Sequence, residues 1–289
     1  MYLILHSVSL VFNRFGDFWQ RYKRKKIAVV GLLIFGIFVF AALLAESISP
    51  YDPQKMGMDL LHPPYLDHLM GTDDLGRDVF SQVVFGARVS LLVGFLASIL
   101  SALIGVLIGT ISGFFGGLVD DLLMRITEIF QIIPRFFLAL LFVALFGTNL
   151  WNIVFVIGIL GWPTVARLVR VQYLSMKESL FVEAAKALGE SSPRIVFSEI
   201  LPNVLPPVIV VASLQVAHAI LLEAGLGFLG LSDPTEFSWG RTLNNSIPFI
   251  RSGWWMAIFP GLAIFFLVLS LNLVGDGLND VFNPRLKER

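Results

Sequence analysis

Arg125, Glu128, Gln131 and Arg135 recur every three to four residues inside an otherwise apolar run, so on one helix they would share a face. A charge at mid-bilayer costs about 2.5–3.5 kcal/mol, so such groups normally face partners or water rather than lipid. Arg125 is placed to pair with Glu128, and Gln131 with Arg135. Gln215, His218 and Glu223 pose the same question in a later run, with Glu223 toward its outer end, where hydration lowers the cost. Two roles fit both sets: lining a solute path, or forming a polar seam between subunits. Ion-coupled transport would instead use Glu128, His218 or Glu223 as the coupling group, although the inverted repeats common in such carriers are not apparent. Bond-making chemistry finds no constellation. The chain lacks His-Glu-x-x-His, Gly-x-Ser-x-Gly, cysteine, and the Gly-(x)4-Gly-Lys-[Ser/Thr] loop that cradles phosphates. No catalytic and no metal-ligating residues are therefore expected. His62 and His68 share a loop that suits a surface pair, and the acids between Gly71 and Asp78 do not follow calcium-loop spacing. That stretch reads as a turn, a Thr72 cap and acids in a first helical turn.

The elements that must position these residues are membrane helices. At 56% hydrophobic and 15% charged residues, the chain is too apolar for an ordinary soluble domain. Its formal net charge of zero gives no electrostatic argument for nucleic acid. Six apolar runs, 27–45, 89–113, 122–146, 150–169, 204–227 and 254–274, suit a bilayer that takes about 20 residues to cross. The expected architecture is an all-α integral membrane bundle of six transmembrane helices. Arg14, Arg21, Lys23, Arg24, Lys25 and Lys26 precede the first run and place the N-terminus in the cytoplasm. Residues 1–26 form a basic leader, either an interfacial helix or a partly ordered segment, and 27–45 is a retained anchor rather than a signal peptide. Segment 46–88 is rich in acids and suits the extracytoplasmic side, leaving 89–289 as a core of five helices. Lys177, Lys186, Arg194, Arg285, Lys287 and Arg289 then fall on the cytoplasmic side, as does the C-terminus. Gly105, Gly109 and Gly113 stack small residues on one face, for close packing within this subunit or against another. Pro134 and Pro163 are expected to interrupt and kink the third and fourth spans.

Residues 175–203 form a short charged stretch between two apolar runs and read as two short helices with a break. Gly189 ends the first, since glycine tolerates the left-handed conformation. Ser191 or Ser192 caps the second, Pro193 sits in its first turn, Ile195, Val196, Phe197 and Ile200 give it an apolar side, and Pro202 stops it. Ala184 and Ala185 are small enough for a partner backbone to approach, and Glu183 offers a charge. Such a rigid knob can pass a partner's motion to the attached helices. An amphipathic loop lying on the membrane is the alternative.

The pattern Glu183-Ala184-Ala185-(x)3-Gly189, closed by Leu201-Pro202, resembles the EAA loop of bacterial ABC importer permeases. Glu199 departs from it, standing where the general motif has Ile. Ser49-Pro50-Tyr51-Asp52-Pro53, Gly71-Thr72-Asp73-Asp74-Leu75-Gly76-Arg77-Asp78, Gly227-Phe228-Leu229-Gly230-Leu231, Ser238-Trp239-Gly240 and Asn272-Leu273-Val274-Gly275-Asp276-Gly277 resemble the peptide/nickel branch of that family. Asp280-(x)3-Pro284-Arg285-Leu286 completes the series, which favours the second of two paired permeases. The resemblance implies the type I permease fold and a multi-pass protein of the cytoplasmic membrane. It implies a non-catalytic subunit whose ATP and Mg are bound by partners, with no cofactor of its own. Those partners are a homologous permease forming a heterodimer, two ABC ATPase subunits, an extracytoplasmic solute-binding protein and membrane lipid. On the same grounds Glu183, Ala184, Ala185, Gly189, Pro193, Ile195, Phe197, Leu201 and Pro202 are the ATPase-coupling residues. The expected cargo is a dipeptide or oligopeptide; nickel chelates, glutathione and oligosaccharides use the same permease type.

Overall fold

The computed structural model describes Gly16 and residues 18–282. Most of the basic leader and Pro284, Arg285 and Leu286 of the terminal motif lie outside the described residues. α1 (Lys26–Leu43) and the short α2 (Ala45–Ile48) lead into a loop that ends at α3 (Val79–Phe115). α4 (Gly117–Ile132), α5 (Arg135–Phe146) and α6 (Leu150–Lys177) follow. α7 (Leu180–Ala187) and α8 (Ser192–Arg194) form the knob, and α8 runs through a wide π turn, Ile195–Ile200, into α9 (Leu201–Phe228). α10 (Trp239–Ser246) and α11 (Trp255–Phe282) complete the bundle. Five helices are long and apolar enough to cross a membrane, and a bent pair makes a sixth span if taken as one. This is the expected all-α membrane bundle.

α3 and α6 pack along the glycine ridge, which settles its role as internal packing. A Cβ on Gly105 would lie 2.5 Å from the Cβ of Val165, on Gly109 2.5 Å from the Ala166 carbonyl, and on Gly113 2.6 Å from the Tyr173 Cβ. Only hydrogen at these positions lets the two backbones approach. α9 lies against both, with Val216, Ala217 and Ile220 facing Val83, Ala87 and Leu91 of α3 in one buried cluster. α1 is held to α11, where a Cβ on Gly31 would meet Leu273 at 2.6 Å.

Five local expectations change. The second membrane helix starts at Val79, ten residues before the expected run, because Asp78 caps it by accepting from the Ser81 amide at 2.7 Å. Thr72, expected as the cap, instead donates to the Asp59 carbonyl and accepts from the His62 amide. The third span is broken rather than kinked: Ile133 and Pro134 are extended, and α4 and α5 meet at 84°. By contrast α6 runs through Pro163 without interruption. Pro202 does not stop the knob's second helix either. It occupies the first turn of α9, where its missing N–H costs little.

Candidate translocation cavity and coupling knob

The break at Pro134 redistributes the polar stripe of the third span. Arg135 opens α5, so it no longer shares a face with the α4 residues, and its guanidinium donates to the Thr164 hydroxyl on α6 rather than pairing with Gln131. Arg135 lines a cavity of about 300 Å3 together with Ser98 and Ser101 of α3, Gly161 of α6, and Gln215 and His218 of α9. Ser98 and Ser101 donate to the carbonyls of Ala212 and Gly158, each at 2.7 Å, and Gln215 Nε2 donates to the Gly161 carbonyl at 3.2 Å. These bonds tie α3, α6 and α9 together around the cavity. All three contributions lie near the middle of their helices, which puts the cavity at mid-membrane depth.

Three of the six candidate path residues, Arg135, Gln215 and His218, are thus brought together, and the others are not. Glu128 pairs with Arg125 at 3.4 Å, as the i,i+3 spacing implies, and lines a separate cavity near the knob end with Asp121, Arg167 and Arg170. Gln131 lines neither cavity. Glu223 is 2% exposed rather than hydrated, and accepts from the Ser90 hydroxyl at 3.4 Å. Burial comes from α10, which packs so tightly on α9 that a Cβ on Gly240 would lie 2.4 Å from the Ala224 carbonyl. Sequence reading missed Ser98, Ser101 and Thr164; hydroxyls recurring within apolar helices were the available signal.

The knob is seated from below. Val182, Ala185, Ile195, Val196 and Ile200 pack with Val165, Val169 and Tyr173 in one buried cluster. Gly189 has φ +78°, and the Glu190 amide reaches back to the Ala185 carbonyl at 3.1 Å, closing α7. Ser191 takes the cap position of α8, but no side-chain bond caps that helix. Ala184 and Ala185 divide their work: Ala185 is buried on the bundle, while Glu183 and Ala184 are exposed. Pro193 and Pro202 are exposed and Leu201 is partly buried. Phe197, expected on the apolar side of its helix, is 63% exposed. Leu180 and Leu188, which sequence reading did not single out, are 83% and 84% exposed on the same knob. Among the described residues no group of three or more His, Cys, Asp or Glu side chains is arranged to hold a metal ion.

Residues 105–288 match the family described as binding-protein-dependent transport system inner membrane component, and residues 13–64 match the N-terminal TM domain of oligopeptide transport permease C. The chain is 45% identical over 280 residues to the dipeptide transport system permease protein DppC of Escherichia coli (strain K12), covering 94% of this chain and 93% of that one. It is 38% identical over 274 residues to the glutathione transport system permease protein GsiD of Shigella flexneri serotype 5b (strain 8401), covering 94% and 90%. Among solved structures, an inward-facing conformation of the MetNI methionine ABC transporter superposes with a TM-score of 0.56 at 20% identity, covering 68% of this chain and 93% of that one.

Proposed function

Because the chain belongs to the binding-protein-dependent transport system inner membrane component family, as a multi-pass permease subunit of the DppC/OppC type, we propose that it forms one half of an ATP-driven import path for dipeptides or oligopeptides. A homologous permease supplies the other half, two cytoplasmic ATPases grip the knobs, and an extracytoplasmic binding protein delivers the solute. ATP and Mg are held by the ATPases, and this chain hydrolyses nothing itself. The mid-membrane cavity with Arg135, Gln215 and His218 lies on the path. The similarity to both a dipeptide and a glutathione permease favours a short peptide or peptide-like cargo.

One observation carries the coupling role: the knob is rigidly seated yet leaves Leu180, Leu188 and Phe197 uncovered. Large apolar groups left exposed on a water-facing segment mark a partner contact. A partner that closes on them moves a body, since the cluster beneath ties α7 and the π turn to α6 and α9. Gly189→Val tests this. A β-branched residue at a left-handed position costs about 1–3 kcal/mol, enough to distort the knob without unfolding the bundle. The variant should assemble and hydrolyse ATP while losing coupled uptake; normal uptake by it would remove the knob from the mechanism.

A further inference from the structure

Arg135 is a cation at mid-membrane depth with no counter-ion among the described residues. None of the ion pairs among the described residues includes it, and no Asp or Glu lines its cavity. Among the described residues its hydrogen-bond partner is the Thr164 hydroxyl. Thr164 is exposed, so the pair opens to the side of the bundle. An unpaired guanidinium cannot face lipid at that depth without a cost of about 2.5–3.5 kcal/mol, so it faces a polar path or an anion.

A second feature adds to the positive field. α5 begins at Arg135 beside this cavity, since Arg135 and Phe136 both line it, and Pro134 brings no side chain that caps the helix. The amides of Arg135 and Phe136 therefore have no acceptor within the helix, and the positive end of the α5 dipole adds to the guanidinium. Broken membrane helices whose N-termini meet at mid-depth suit anionic groups of a solute. The cavity of about 300 Å3 has room for roughly ten waters, or for the terminal part of a small solute. Gln215 spends its Nε2 on the Gly161 carbonyl, which leaves Oε1 to accept from a solute N–H.

We propose that Arg135 and the N-terminus of α5 form a carboxylate-binding site in the import path, taking the C-terminal carboxylate of a peptide in transit, with Gln215 accepting from its backbone amide. The guanidinium fork matches a carboxylate in two parallel bonds, which a lysine cannot reproduce. Exposed Thr164 leaves the site open on one side, and a partner permease would close that wall. It rests on the reading of the cavity as part of an import path.

The natural chain has no cysteine. Leu221→Cys, at an exposed position on the cavity wall, therefore gives this subunit one thiol in the assembled complex. Its labelling is followed with an anionic sulfonatoethyl and a cationic trimethylammonioethyl methanethiosulfonate. The anionic reagent should react about tenfold faster, as expected where a charged cleft concentrates its counter-ion, and R135Q should bring the two rates together. N-acetyl-dialanine should slow labelling, while its C-terminal amide should not; R135K should retain the charge preference but weaken the acid-over-amide discrimination. Equal rates for the two reagents, no labelling by either, a preference that survives R135Q, or equal protection by acid and amide would each overturn the site. An acid supplied by the partner permease would produce the first or second of these results. Where R135Q fails to assemble, the acid-against-amide comparison in the complex carrying Leu221→Cys alone still decides. Labelling needs neither ATP nor cargo delivery, so a positive thiol result without peptide uptake overturns the import reading alone.

Discussion

Asp233 fastens the start of α6 from a loop 83 residues away in sequence: one carboxylate oxygen accepts from the Leu150 amide at 2.9 Å. The other accepts from the Thr235 hydroxyl at 2.6 Å and amide at 2.9 Å. Burial alone would push this carboxyl up, but the bonds from Thr235 and Leu150, with Arg241 nearby, outweigh it and hold the group below its ordinary range. A carboxylate with a depressed native pKa stabilises the fold fully above its unfolded value, and loses that contribution as pH falls through the native one. Asp233→Asn should cost about 1.5–3 kcal/mol at neutral pH, the worth of hydrogen bonds to a charged group. The gap to wild type should narrow below about pH 4, as read by thermal unfolding of the detergent-solubilised complex. A gap independent of pH would mean that shape rather than charge matters there. Little of this was legible in sequence. The Arg125–Glu128 pair was, because a helix fixes i,i+3 neighbours, whereas the partners of Asp233 and Arg135 are set by how distant segments pack.

At the scale of elements, Pro134 and Pro163 looked equivalent in sequence and behave oppositely. Pro163 is buried in α6, which continues through it while packed on α3. Pro134 lies exposed in the extended break between α4 and α5, where nothing repays the lost hydrogen bond. A proline in a helix interior costs about 3 kcal/mol or more, so Pro134→Ala removes that penalty from a continuous α4–α5 helix. Continuity would carry Arg135 onto the face of Glu128 and Gln131 and out of the cavity. The expected result is an assembled complex whose uptake falls about tenfold or more and whose Leu221→Cys thiol loses its preference for the anionic reagent. Unchanged uptake with an unchanged preference would show that packing holds the bend, through Phe130 on Trp162 and Phe136 on Gly225. The knob was more legible, because Gly189 signals a helix end by itself. The π turn after it was not: it is a small widening inside a run that reads as ordinary helix.

For the whole molecule, the energy source follows from where the ionisable groups ended up. An ion-coupled carrier needs a titratable group that meets water alternately from each side. Glu223, a candidate for that role, is sealed at 2% exposure beneath α10, and Glu128 sits apart near the knob end, paired with Arg125. His218 reaches the mid-membrane cavity, but its wall carries Arg135 and no carboxylate relay. The order and number of apolar segments were readable from the sequence because bilayer thickness dictates their length. Which polar groups share a cavity was not, since that depends on one break and on how tightly glycine faces let helices approach. Uptake of a labelled dipeptide by the reconstituted complex, with its ATPases and binding protein, should therefore require ATP on the knob side. It should persist when proton and sodium gradients are collapsed with ionophores. Glu223→Gln keeps the shape and a hydrogen-bond acceptor for Ser90, so its uptake should stay within about twofold of wild type, a change below 0.5 kcal/mol. Uptake that followed an imposed gradient and failed in Glu223→Gln would make Glu223 the coupling group, and the knob would then answer to something other than ATP.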